Sequence, residues 1–90
     1  MKYRSRIDIA AAILRISEGG AIKTRIMYRS FLSFPQLKEY LGLLLEQDML
    51  RHNEEEKTYY TTEKGHRFLK VYGEIDGMIP KANMLTKIMQ

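Results

Sequence analysis

A mostly helical α+β fold is what this 90-residue sequence predicts, and three observations predict it. Two helix-forming stretches, 23–30 and 33–47, are separated only by Phe31 and Leu32, the arrangement of a helix-turn-helix. Two short segments, 48–51 and 58–61, flank the polar loop His52-Asn53-Glu54-Glu55-Glu56-Lys57, and the second, Thr-Tyr-Tyr-Thr, favours strand. Apolar residues then recur at helical spacing from Phe68 onward. The expected order is helix, helix, helix, strand, strand, helix.

The first helix is expected from Arg4 to Ser17, with Ser5 as N-cap and Gly19-Gly20 as its stop. At about 100° per residue, Ile7, Ala10, Ala11 and Leu14 form one apolar stripe, and Ile9, Ile13 and Ile16 form another nearly opposite. Such a helix needs cover on both sides, from the C-terminal segment or from another subunit. The second helix, Lys23 to Ser30, is expected to be capped by Thr24 or entered just before it, with Ile26 and Met27 inward. Ser33 starts the third helix, with Pro35 in its first turn and Gln36 completing a capping-box spacing. Leu37, Tyr40, Leu41 and Leu44 pin that helix to the core, and both Tyr28 and Tyr40 are expected to be core residues. Thr62 caps the last helix, with Glu63 at the positive end of the helix dipole.

In that last helix Phe68, Tyr72, Ile75, Ile79, Ala82, Thr86 and Met89 recur at spacings of 4, 3, 4, 3, 4 and 3, a heptad seam that predicts a homodimer. Pro80 interrupts it: a proline inside a helix costs about 3 kcal/mol, so the helix kinks there or ends near Ile79. Gly73 and Gly77 weaken it further. The division expected is a core over residues 1–66 and a dimerisation helix over 62–90.

Charge is segregated along the chain. Residues 1–38 carry eight cations against two anions, 39–63 carry two against seven, and 64–90 carry five against two, for nets of +6, −5 and +3. A polyanion should therefore approach the N-terminal half. Lys23, Arg25 and Arg29 lie on or beside the first helix of the helix-turn-helix, where such proteins meet the phosphate backbone. The expected partner is double-stranded DNA. On the following helix the outward positions are Gln36, Lys38, Glu39, Gly42, Leu43 and Glu46. Gln36 and Lys38 can reach base edges, but Glu39 and Glu46 repel phosphate, so backbone binding with mild sequence preference is expected.

Other chemistries find little footing. The absence of cysteine rules out disulfides and thiolate metal sites. His52 is isolated, and the Glu63-x-x-His66 spacing has no second copy with which to hold a metal pair. Ser33 lacks a His and carboxylate at meaningful spacing, and no glycine-rich phosphate loop occurs. Neither catalysis nor a cofactor is expected, and no effector ligand is indicated. The longest apolar stretches, Ile9–Leu14 and Leu41–Leu45, fall far short of the roughly 20 residues a membrane span needs. A cytoplasmic, nucleoid-associated protein is expected.

Several of these residues carry a family resemblance: Lys23-Thr24-Arg25-Ile26-Met27-Tyr28, then Leu32-Ser33-Phe34, Leu37, Tyr40-Leu41, Leu44, Tyr59 and Thr62-Glu63-Lys64-Gly65. Over roughly residues 6 to 70 the chain resembles the small archaeal winged-helix DNA-binding proteins of the ten-kilodalton Sso type. The resemblance implies a winged helix-turn-helix with three helices, a two-stranded wing and a long C-terminal helix. It also implies dimerisation through that helix as an antiparallel coiled coil, and DNA binding in a chromatin or regulatory role. Three features depart from the pattern: Phe31 where an Asn commonly precedes Leu-Ser, the triply acidic loop Glu54–Glu56, and Pro80.

The candidate DNA contacts are therefore Lys23, Thr24, Arg25 and Arg29, then Ser33, Gln36 and Lys38, with Arg4 and Arg6 near the N-terminus. The candidate dimer contacts are Phe68, Tyr72, Ile75, Ile79 and Ala82. A second class of function is a winged helix that binds only protein, through the acidic wing and the second apolar stripe of the first helix.

Overall fold

The computed structural model describes residues 4–78. Its elements are α1 (Arg6–Ile16), β1 (Ala21–Ile22), α2 (Lys23–Ser30), α3 (Phe34–Glu46), β2 (Leu50–Asn53), β3 (Thr58–Thr61) and α4 (Glu63–Met78). The strands form one antiparallel sheet in the order β1-β3-β2, with Ala21 opposite Tyr59 and Leu50 opposite Thr61.

The helix starts follow the cap chemistry. Ser5 and Asp8 close a capping box on α1, which begins at Arg6 rather than Arg4. Ser33 and Gln36 close another on α3, with Pro35 in its first turn. The Thr62 hydroxyl accepts from the Gly65 amide at 3.1 Å and donates to the Asp48 carbonyl at 2.6 Å, tying the start of α4 to the end of α3. The expected Thr24 cap is not formed. Ile22 is the N-cap of α2 and supplies no side-chain bond, because Ile22 still pairs with Thr58 in the sheet and the chain turns from strand directly into helix.

The ends of α2 and α3 share one device. Phe31, at φ 57 and ψ 42, is left-handed; its amide donates to the Tyr28 carbonyl and that of Leu32 to the Met27 carbonyl. This is a Schellman closure, and it delivers Leu32 into the core. Asp48, at φ 60, closes α3 the same way, with its amide on Leu45 and that of Met49 on Leu44. Because Asp48 is consumed by that closure, the first strand of the hairpin, β2, runs from Leu50 to Asn53 and not from Asp48 to Arg51 as expected.

The core gathers Ala10, Ile13 and Leu14 of α1, Ile26 of α2, Leu37, Tyr40, Leu41 and Leu44 of α3, and Ala21, Leu50 and Tyr59 of the sheet. Both stripes of α1 find cover within the chain, since Ile13 is fully buried and Ile9 and Ile16 pack against the core, while α2, α4 and β3 surround the helix. Ile7 is left 57% exposed. Buried hydroxyls are bonded: Ser17 to the Ile13 carbonyl, Ser30 to that of Ile26 and Thr61 to that of Leu14.

Two further expectations are corrected. Tyr28 is 75% exposed, because the eight-residue α2 buries a single face through Ile26 and Ser30 and Tyr28 lies on the other; Tyr40 is buried as expected. The heptad seam also divides. Phe68 packs against the core of its own chain and Tyr72 donates a hydrogen bond to the Asp8 carboxylate, whereas Ile75 stays half-exposed in line with Val71 and Met78. The α4 helix passes through Gly73 and Gly77 without a break. Ile79, Pro80, Ala82, Thr86 and Met89 lie outside the described residues. Among the described residues no helix is long and apolar enough to cross a membrane.

Candidate nucleic-acid interface

Lys23, Arg25 and Arg29 on α2 and Lys38 on α3 are all exposed cations. Helical spacing sets Arg25, Tyr28 and Arg29 on one shared face of α2, and all three are exposed, as are Lys23 and Thr24. Among the described residues none of Lys23, Arg25, Arg29 and Lys38 forms an ion pair. The Lys23 amine lies 5.5 Å from the centre of the Phe34 ring. It also borders a hollow lined by His52, Glu54, Lys57 and Tyr59, so that α2 abuts the hairpin. No sequence signal had joined Lys57 to this cluster, since it lies across the acidic loop.

The outer face of α3 is electrically balanced. Lys38, Glu39, Gly42, Leu43 and Glu46 are all exposed there, together with Arg6 reaching across from α1. The Arg6 guanidinium lies 3.4 Å from the Glu39 carboxylate and 5.2 Å from the centre of the Tyr40 ring. An exposed pair of this kind contributes only about 0 to 1 kcal/mol, so its importance is electrostatic: it masks Glu39 from an approaching phosphate. The Gln36 side-chain oxygen accepts from the Ser33 amide and hydroxyl, each at 3.0 Å, so Ser33 and Gln36 are held by the cap. Arg4 is exposed just before α1 and helps hold the Asp8 carboxyl below its ordinary range, behind the larger effects of the Tyr72 and Ser5 hydrogen bonds. The nine expected contacts thus fall into a cluster on α2, a capped start of α3 joined by Arg6, and Arg4 apart.

The hairpin tip is ordered by its own side chains. Asn53 accepts from the Glu56 amide at 3.0 Å, and the Tyr60 hydroxyl donates to the Glu56 carboxylate at 2.6 Å, which raises the Tyr60 pKa. Arg51 stacks over Tyr60 with 4.5 Å to the ring centre. Gly20 is required beneath that ring: its φ is 96°, and a Cβ there would meet Tyr60 at 2.7 Å. Glu56 is therefore turned back onto the sheet, while Glu54 faces Lys23 and Lys57 across the hollow. The His66 Nδ1 lies 3.1 Å from the Glu18 carboxylate, linking α4 to the end of α1.

A family model described as winged helix-turn-helix matches residues 3–80. Among solved structures, the chain is similar to Sso10a-2, a DNA-binding protein from Sulfolobus solfataricus, with a TM-score of 0.81 and 24% identity. That likeness covers 96% of this chain and 90% of the other. No curated protein matches the chain.

Proposed function

The chain belongs to the winged helix-turn-helix family, and from that premise we propose that it binds double-stranded DNA, in a chromatin-associated or regulatory role. The observation that carries this reading is the group Lys23, Arg25 and Arg29, three exposed cations with no ion pair among the described residues, beside the start of α3. Cations left free on a helix-turn-helix release counterions when they meet phosphate, and that release drives association. Lys57 extends the group toward the wing, β2 and β3. The balanced outer face of α3 argues for phosphate contacts with mild sequence preference rather than strict base readout. The similarity to a DNA-binding protein is in keeping with this.

The protein acts as a homodimer in this reading, joined along α4. Its apolar line is Val71, Ile75 and Met78, continued at the start of α1 by the exposed Ile7. Burying such side chains contributes about 1.5 to 3 kcal/mol each, a strong drive for a domain of this size.

A salt series on random duplex tests the DNA reading. Affinity should fall steeply with added salt, and Arg25→Ala should shallow the slope of log affinity against log salt by about 0.9 per protomer engaged. An unchanged slope in a folded variant would mean that Arg25 is only solvated surface. Absence of DNA retention at low salt would leave a protein interaction module as the function.

A further inference from the structure

Three large aromatic side chains stand out of the surface within seven residues: Tyr28 at 75% exposure, Phe31 at 84% and Phe34 at 53%. Phe31 is the hardest to explain by folding. The Schellman closure needs a left-handed residue at that position, which Gly or Asn supplies with less strain, and Leu32 already provides the buried apolar contact. The Phe31 ring therefore contributes almost nothing to the interior. Tyr28 is free as well: it has no ring partner among the described residues, where the aromatic pairs are His52 with Tyr59 and Phe68 with Tyr72. Only Phe34 is covered, by the Lys23 amine.

These rings are interleaved with Lys23, Arg25 and Arg29, and no acidic residue occurs between Gly19 and Lys38. A protein-binding patch is depleted of charge at its core. A mixture of free rings and free cations suits a ligand that offers both flat apolar faces and negative charge, as nucleic acid with unpaired bases does. A stacked duplex keeps its base faces hidden. We infer that Tyr28 and Phe31 form a stacking platform for unpaired bases, so that the protein engages DNA with a single-stranded or open segment more tightly than perfect duplex. This rests on the DNA reading for its cations but uses side chains that phosphate binding leaves idle.

The test uses the full chain and three labelled DNAs of one sequence, a perfect duplex, the same duplex with a central bubble, and the single strand, compared by fluorescence anisotropy. Phosphate contacts alone favour the duplex, whose charge density is higher. A stacking platform reverses that order for the bubble. Tyr28→Ala and Phe31→Asn should each weaken bubble and single-strand binding about fivefold or more, with duplex affinity held within about twofold. Asn accepts the left-handed conformation, so Phe31→Asn should melt no lower than the parent, which keeps a loss of binding distinct from a loss of fold. Equal weakening on all three DNAs, or none on any, would overturn the inference. Duplex binding with no preference for the bubble overturns the platform alone and leaves the DNA reading standing. Single-strand binding without duplex binding would do the reverse.

Discussion

One substitution, glycine to alanine, should move stability in opposite directions at two helical positions. At Gly42, on the exposed face of α3, an added Cβ meets nothing within 4 Å. Alanine there gains only the helix preference, about 0.5 to 1 kcal/mol. At Gly65, in the first turn of α4, the Cβ would collide with the Met49 carbonyl oxygen and lie 2.6 Å from the Thr61 Cγ2. Neither neighbour can yield freely. The Met49 carbonyl accepts from the Thr62 amide at 3.0 Å, and the Thr61 hydroxyl is bonded to the Leu14 carbonyl at 2.6 Å. Overpacking of this kind costs about 1 to 3 kcal/mol, and a weakened hydrogen bond adds about 1 kcal/mol. After the gain in helix preference, Gly65→Ala should lose about 2 kcal/mol. For a domain of this size, about 4 to 8 °C per kcal/mol puts its melting point roughly 8 to 16 °C lower, while Gly42→Ala should melt a few degrees higher. Thermal and urea unfolding by circular dichroism would measure both. If Gly65→Ala is as stable as the parent, α4 does not dock on the Met49 carbonyl as described.

Further outcomes concern pH, the wing and the dimer. The Tyr72 hydroxyl donates to the Asp8 carboxylate, which pushes its pKa from 10.0 up to about 12 and holds that of Asp8 below 3.8. The Tyr72 contribution to stability is thus complete below pH 10 and lost as pH rises toward about 12, whereas that of Asp8 is lost as pH falls below its ordinary value. Melting curves of Tyr72→Phe across both windows should show a smaller alkaline loss than the parent, because Tyr59 and Tyr60 keep their raised pKa values, and a smaller acid loss. Replacing Glu54, Glu55 and Glu56 together by Gln should leave duplex affinity unchanged or raise it, since the amide oxygen of the Glu56→Gln side chain can still accept from Tyr60; weaker binding would mean the carboxylates themselves contribute. Sedimentation of the parent should give twice the chain mass, and Val71→Asp with Ile75→Asp should give the monomer. A parent already monomeric at tens of micromolar would rule out the α4 dimer.

Local chemistry made much of this legible in the sequence. Ser5, Ser33 and Thr62 mark helix starts because each hydroxyl satisfies an amide within three residues, a contact that spacing alone specifies. The stripe Leu37, Tyr40, Leu41 and Leu44 named the buried face of α3 for the same reason, since helical period fixes which side chains share a side. The cation cluster on α2 was legible as charge. Tertiary structure decided what depends on distant residues. β1 exists only because Tyr59 and Thr58 come alongside Ala21 and Ile22, and two residues carry no strand signal of their own. Tyr28 and Phe68 are both aromatic residues on helices, yet one faces water and the other the core, because α2 has one packed side and α4 lies along α1. Arg6 shields Glu39 across 33 positions of chain, and Glu56 turns onto Tyr60 instead of outward. Sequence fixes the groups a residue brings and its neighbours within a turn or two of helix; packing over long separations determines which of those groups remain free to meet a partner.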